Sequence, residues 1–579
     1  MILRALYDYY QNHRNELPSR GKELVEIGFI ILLSDKGEFL RFEDRRSADK
    51  KGHADSFLVR KGVSRSSAPV ANWLYDNATY VLGHDEKKDA SKYYATFTEK
   101  INTAFSKNPQ NKDLQILSKF YSKPLEQKLL QMQADPLWED IIKNLNKKFS
   151  RFSFRIEGED EIIAEKEELI ALDIEEDSVS STSDTKVCII TGEPDEITDI
   201  TTATMIHGSQ ATAKLVAFQV NSGYDSYGKK QGENAPIGKK AEFAYTTALN
   251  KMLSQDSKNK FLFGNRTFLF WSSFTPETAS TAKELEMVTF DLLSQDSNDT
   301  ELDPDLVTKI FMSIYSGKKP TGKDDKFYIL GLSPNVARIA VSYWAEIPLN
   351  EFAGNILQHF EDFSIADTRK DKRPYSGLHS ILKAIAPDGE NTERFLNLPE
   401  YISKSIFQNI PYPNTLYSTV LRKIHSQREV KLTQAAIIKG YLNRVESNKL
   451  KITKMLDKTC SNPAYVCGRL FAVVEKMQKD AQDITSVRDR FFNSANTTPS
   501  VVFPTLFNLS IHHMSKLKDK GGYYHKLLRE IYNLLGPEGF PSKLTTEEQG
   551  RFIIGYYHQM ADFYTPKAEK ENKDENPNT

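Results

Sequence analysis

The spacing of apolar and polar positions changes along this chain, and the change divides it. Leu3, Leu6, Tyr7 and Tyr10 recur at helical spacing. Residues 25–33 are strand-like, Asp35-Lys36-Gly37 supplies a turn, and 39–42 pairs back, which predicts a hairpin. A short helix or turn is expected over 72–83, holding Trp73, Leu74, Tyr75 and Tyr80. From 90 to 149 the period is mainly helical, with Phe97, Ile101, Phe105, Leu125, Leu129 and Met132 as core candidates. Residues 215–220 form a short apolar run bounded by turn signals, which predicts a buried strand. Five residues among 221–238 are Gly or Pro, so this stretch is expected to be irregular. A helix follows, with Tyr245, Leu249 and Leu253 on one face. Residues 260–274 read as strand, turn, strand, as do 328–332 and 336–344. Residues 348–363 are amphipathic through Phe352, Ile356, Phe360 and Phe363.

From Met455 onward the pattern is helical throughout. Val466, Leu470, Val474, Met477 and Ala481 form a stripe. Pro499 follows Thr498 at an expected helix start, and Thr545 with Glu548 makes a capping-box pattern. Four or five short-linked helices imply a small bundle. The expected fold is α+β: a large mixed α/β region over 1–410, with two subdomains split near 178–185. A basic connecting helical segment over 411–454 and an all-helical bundle over 455–564 follow. The polar tail, 565–579, is expected to be disordered.

Hydrophobic content of 39% and charged content of 27% describe an ordinary globular chain. The formal net charge is -1, so any polyanion binding must come from local patches. Cys188, Cys460 and Cys467 are too few for a disulfide framework, which fits a reducing cytosol. Arg4 and Asp8 interrupt the N-terminus, so no signal-peptide core is expected. No run approaches the roughly 18 apolar residues of a membrane span.

Several motifs bear on chemistry. GKKPTGKD at 317–324 has the glycine spacing of a phosphate-binding loop. Asp324 stands where a magnesium-holding hydroxyl is needed, and the order such a loop requires, strand before and helix after, is reversed here, with a helix before and a strand after. His512 and His513 are adjacent, but neighbours on a helix point about 100° apart and do not chelate one metal together. His207, His359 and His558 lack partners at metal spacing. No catalytic constellation and no cofactor site emerges.

Binding chemistry is better supported. Lys229, Lys230, Lys239 and Lys240 share a glycine-rich stretch with Tyr224 and Tyr227. Cations among rings on flexible backbone suit a polyanion whose bases stack, although a solvated surface loop has the same composition. Arg60, Lys61 and Arg65 lie on a small-residue loop before Asn72, whose amide can read a base edge. Asn335 and Arg338 flank a turn. Arg422, Lys423, Arg428, Lys431, Lys439, Arg444, Lys449, Lys451, Lys454 and Lys458 make 422–458 the most basic part of the chain. That run is either a phosphate-tracking surface or a solvated helix. Residues 157–177 are acidic and read as a solvated face that would repel phosphate.

The run KLVAFQVNSGYDSYGKKQGENAPIGKKAEFAYTTALNKML resembles the signature segment of the large subunit of type I-C CRISPR Cascade complexes. RSSAPVANWLYDNATYVLG, FYILGLSPNVARIAVSYW, NPAYVCGRLFAVVEKMQ, VRDRFFNSANTTPSVVFPTLFNLSIHHMSKL and QGRFIIGYYHQ match the same family in the same order. The chain departs from the family's usual pattern at Ser209-Gln210-Ala211-Thr212-Ala213 and at Ser342. The resemblance implies a non-catalytic subunit of a crRNA-guided complex, cytoplasmic and without a cofactor. Its implied partners are crRNA, double-stranded target DNA, the Cascade backbone and crRNA-processing subunits, small subunits, and a helicase-nuclease recruited in trans. It implies recognition of the protospacer-adjacent motif, promotion of R-loop formation and stabilisation of the displaced strand. On this resemblance Lys61, Arg65 and Asn72 are expected at the motif with Arg60 on phosphate. Lys214, Lys229, Lys230, Lys239 and Lys240 are expected on guide or target backbone, and the 422–458 run on the displaced strand. It also implies separate production of the C-terminal helices from an internal start, whose position Met455 matches. Two other classes stay open: a metal-dependent nuclease acting on bound DNA, and a purely structural scaffold.

Overall fold

The computed structural model describes all residues except 48–52, 64–67, 86–88, 148, 180–184, 220–224, 226, 255–256, 264–265, 295–303, 337, 369–377, 388–394, 396, 446–450, 485, 518 and 566–579. The expectations for Arg65, Tyr224, Lys449, the connector over 180–184 and most of the 565–579 tail therefore lie outside the described residues. Sheets occupy the N-terminal part and helices dominate toward the C-terminus, so the fold is α+β. The chain forms two compact units. One comprises Leu6–Ile200 with Phe218–Ala248, the other Met1–Ala5, Thr201–Ala217 and Leu249–Thr579.

In the first unit the run over 25–33 is two strands, not one. β1 (Lys22–Glu26) and β2 (Phe29–Leu33) belong to different sheets. Gly28 makes the break. Its N–H donates to Phe149 O at 2.9 Å, and a Cβ there would sit 2.7 Å from the same oxygen. β2 pairs antiparallel with β3 (Phe39–Asp44) through the expected hairpin. β4 (Ser56–Arg60) pairs with β1. The two-residue β5 (Asp76–Asn77) and β6 (Arg151–Ile156) complete the sheet in the order β3-β2-β6-β5, with β2 and β6 parallel. All five β2 residues are buried, as a strand covered on both faces requires. Helices Ser91–Lys107 and Lys112–Ser122 bring Phe97, Phe120 and Tyr121 against Phe154.

The acidic stretch is more structured than its composition suggests. It forms a 3-10 turn (Ile163–Glu165) and a helix (Glu167–Val179). Ile162, Ile163, Leu169 and Ile170 are buried while Glu167 stays exposed. Further on, β7 (Thr185–Val187) and β8 (Pro194–Glu196) form a small hairpin.

The second unit is built on an antiparallel sheet in the order β12-β11-β10-β9, from β9 (Lys260–Phe263), β10 (Arg266–Ser272), β11 (Lys326–Asn335) and β12 (Arg338–Pro348). Alternation places Phe268, Phe270, Phe327 and Tyr343 on one face, where helix Leu349–Phe363 packs and Phe352 stacks on Phe327 at 3.9 Å. From there one apolar core runs without a break into the C-terminal helices. The 317–324 segment follows helix Pro304–Tyr315 and precedes β11, the order expected for a surface turn, and Gly322 N–H donates to Asp325. The strand expected over 215–220 is not formed. Residues 215–219 lack ladder pairing because side chains take their backbone groups: Leu215 N–H donates to Thr204 Oγ1 at 3.2 Å, and Thr201 Oγ1 donates to Val216 O.

Helices Pro463–Gln482 and Thr546–Tyr564 cross so closely that two glycines are required. A Cβ on Gly468 would lie 1.9 Å from Phe552 O, and one on Gly555 would lie 2.1 Å from Tyr465 O. Thr545 and Glu548 close the expected capping box at the start of the second helix. Replacing Gly468 by Ala is expected to lower stability by about 3 kcal/mol, the upper range for an overpacked core. Thermal unfolding of the purified chain checks this, and an unchanged midpoint would contradict the contact.

Candidate nucleic-acid interface

The N-terminal basic loop begins where β4 ends. Arg60 Nε donates to Asp173 Oδ2 at 2.8 Å and its Nη1 donates to Gly21 O at 3.0 Å. Lys61 N–H also donates to Gly21 O, and its ammonium stands 5.7 Å above the Phe243 ring. The next two amides are clamped. Gly62 N–H donates to Glu23 Oε1 at 2.8 Å, which also accepts from the Tyr75 hydroxyl at 3.0 Å. Val63 N–H donates to Asn72 Oδ1 at 3.0 Å, and Asn72 N–H donates to Asp76. A Cβ on Gly62 would press on Glu23, Tyr75 and Asn72 together. Both ends of the loop are thus tied to one another. Asn72 is the tie, a role not anticipated from the chain.

Asp173 was also missed. It accepts from Arg60 and from Lys100 Nζ, at 2.9 Å, with Arg60 and Asp173 each 12% exposed. Lys100 lies 5.3 Å from the Trp73 ring centroid, and the Trp73 indole N–H donates to Leu169 O at 2.8 Å. The acidic helix therefore docks on this cation pair rather than facing solvent alone. Local composition carries no sign of it, because Asp173 lies 113 positions from Arg60 and 73 from Lys100.

The glycine-rich stretch divides its lysines. Lys229, Lys230 and Lys240 are exposed, whereas Lys239 pairs with Glu196. Lys240 N–H donates to Asp195 Oδ2 at 2.9 Å, which caps the helix Lys239–Leu253. Tyr227 is fully exposed with φ of 52°.

In the other unit, Lys214, Asn335 and Arg338 come together although the chain separates them widely. Lys214 bridges in parallel to Arg338, with Ile339 N–H donating to Lys214 O at 3.2 Å. Gln210 N–H donates to Val336 O at the tip of the β11–β12 hairpin. Val336 is 68% exposed with φ of 54°, a left-handed conformation rare for a β-branched residue. Asn335 and Arg338 are exposed beside it. Arg266 joins this end of the sheet by donating to Ser333 and Asn397.

The 422–458 run splits more sharply. Arg422, Arg428, Lys431, Lys451, Lys454 and Lys458 are exposed. Lys423 is half-buried and donates to Ala386 O. Lys439 is 1% exposed, and its ammonium donates to Glu361 O and Asp362 O at 2.7 and 3.2 Å. Burial holds its pKa below the usual lysine value. Arg444 is buried against Asp362, with Nε 2.5 Å from the carboxylate and Tyr412 under the guanidinium. Lys439 and Arg444 therefore stand away from solvent, contrary to a continuous surface strip. Lys439 shares a face of helix Leu432–Arg444 with Ala435, Ile438 and Leu442, whereas Arg444 lies on the opposite face below Ile437 and Gly440, and both faces are buried. Met455 lies in the irregular segment before helix Pro463–Gln482.

The histidines are structural where they are buried. His558 hydrogen-bonds the Tyr465 hydroxyl, and burial pushes its pKa down to about 3. His513 is buried and His512 exposed. Among the described residues no group of three or more His, Cys, Asp or Glu side chains is placed to hold a metal ion, the three cysteines are unpaired, and no helix is long and apolar enough to cross a membrane.

Comparison with protein families supplies the class: the model for CRISPR-associated protein (Cas_Csd1) matches residues 6–564, and the chain belongs to that family. Within CRISPR systems this makes it a large subunit of a type I-C Cascade complex. Comparison with curated proteins gave no match.

Removing Arg444 strands Asp362 in the interior. Arg444→Met is expected to cost about 3–5 kcal/mol, whereas Arg422→Ala and Lys431→Ala leave stability within about 0.5 kcal/mol. Denaturant titration of the three variants separates the buried cation from the exposed ones.

Proposed function

We propose that this subunit is the non-catalytic DNA-engaging part of its crRNA-guided complex. It recognises the protospacer-adjacent motif in duplex DNA, promotes strand separation and R-loop formation, holds the displaced strand and recruits the helicase-nuclease. Base pairing with the guide reads sequence, while protein reads a short duplex signal and backbone shape. The observation that carries this reading is the double clamp at the base of the 61–72 loop, where Glu23, Tyr75 and Asn72 fix Gly62 and Val63. Fixing Gly62 and Val63 holds the neighbouring Lys61 in one place, as readout of a groove requires. In this reading Lys61, Arg65 and Asn72 form the motif loop and Arg60 is its phosphate anchor. Lys214, Asn335 and Arg338, with Lys229, Lys230 and Lys240, follow guide or target backbone. The displaced strand meets exposed members of the basic run, Arg422, Arg428 and Lys431 among them.

The test is DNA binding by the reconstituted complex across all motif variants. Arg65→Ala and Asn72→Ala are each expected to reduce discrimination between motifs by roughly 10- to 100-fold. Lys61→Glu with Arg65→Glu is expected to abolish binding while assembly persists. Unchanged motif preference would favour a scaffold that touches only protein. Metal-dependent DNA cleavage by the isolated chain would favour a nuclease.

Met455 is proposed as an internal start that yields the C-terminal helices as a separate small subunit. In the full chain these helices share their core with helices 349–444. Tyr417 donates to Thr546 O and Tyr557 donates to Ala366 O, both at 2.8 Å. A separate product exposes that face and needs a partner to cover it. Mass spectrometry of the complex is expected to find a fragment beginning at Met455, and its absence would count against the second product.

A further inference from the structure

The acidic helix Glu167–Val179 is the feature the proposed function leaves unused, and it lies against the residues that function needs. Glu167 pairs with Lys22, and Asp173 pairs with both Arg60 and Lys100. The Asp173 carboxylate gives one oxygen to each cation: Oδ2 to Arg60 Nε at 2.8 Å and Oδ1 to Lys100 Nζ at 2.9 Å. Two cations bridged by the two oxygens of one anion is the arrangement a backbone phosphate makes with its two non-bridging oxygens. At 12% exposure the Arg60–Asp173 contact is only weakly screened by salt. Trp73 fixes the geometry from below, under Lys100 and hydrogen-bonded to the same acidic helix at Leu169 O.

We propose that Asp173 is an internal stand-in for a DNA phosphate, held on Arg60 and Lys100 until a duplex displaces it. This rests on the reading of the 60–72 loop as the duplex-binding loop. Asp173 is a positioning residue, and Lys100 is a second phosphate cation beside Arg60. The three charges sum to +1, so a passing polyanion meets one net charge rather than two. A phosphate arriving alone must break two ion pairs to form two, with little gain. A phosphate arriving on DNA that also satisfies the loop brings the additional contacts that tip the exchange. The carboxylate thus suppresses sequence-independent binding more than motif-dependent binding, which is a specificity device.

The experiment uses the whole reconstituted complex with Asp173→Asn, an isosteric change that removes the charge. Binding of motif-bearing and motif-lacking duplexes is measured across salt concentrations. The motif-lacking duplex is expected to bind on the order of 10-fold tighter, with a salt slope steeper by about one, and motif discrimination falls. Asp173→Glu is expected to restore the wild-type pattern. Unchanged or weaker binding of the motif-lacking duplex, at an unchanged slope, overturns the proposal and leaves Asp173 a structural partner. Arg60→Gln separates the two levels. If it weakens binding while Asp173→Asn strengthens none, the stand-in fails alone; if neither changes binding, the reading of the loop fails with it. Should Asp173→Asn not assemble, Lys100→Gln decides: a lower affinity with a shallower salt slope supports the shared site, and unchanged values overturn it.

Discussion

A cation buried against its own carboxylate or carbonyl can meet an external anion only by giving up that partner, and this constraint orders the rest of the structure. The chain carries 77 Lys and Arg against 78 Asp and Glu, so pairing rather than composition decides where positive charge survives. Lys22, Lys166, Lys439 and Arg444 are consumed in holding the fold. Arg60 and Lys100 share a single carboxylate. Among the described residues, positive charge also reaches the surface at the lysines of the glycine-rich stretch, at the hairpin tip around Lys214 and Arg338, and on the outward residues of the basic run. Among the described residues the exposed cations are therefore spread over small patches rather than one continuous strip.

Much of the fold could be read along the chain where signals were local. The β2–β3 hairpin, the helix after the glycine-rich stretch, the paired strands of the second sheet and the Thr545–Glu548 cap each depend on neighbours in sequence. The failures were non-local. Residues 25–33 split because Phe149 O crowds Gly28 from a distant segment. Residues 215–220 are apolar enough for a strand, yet Thr201 and Thr204 claim their backbone groups.

The candidate site shows the same division. That Arg60, Lys61 and Asn72 lie at one loop was evident from their spacing. That Asn72 faces inward to hold Val63, and that Asp173 and Lys100 complete the group, was not, because no periodicity links them. The basic run misled for a related reason. Charge density along a helix says nothing of which face turns inward: Lys439 turns inward with Ala435 and Ile438, and Arg444 is buried on the other side against Asp362. The acidic stretch was read as solvated because carboxylates dominate it, but its isoleucines and leucines are what dock it.

The parallel pairing of β2 with β6 has a consequence for how the protein is made. β2 leaves the ribosome early, yet its parallel partner strand at Arg151–Ile156 is translated only after five intervening helices. The same unit also draws on Phe218–Ala248. A fully buried, entirely apolar strand can therefore pair early with β3, but its other edge waits for β6 through most of the synthesis of its own domain. Such a segment invites capture by chaperones, and a pause in translation before β6 would lengthen its exposure. Yield in a heterologous host should accordingly depend on codon usage across the first 160 or so residues more than on anything in the helical half.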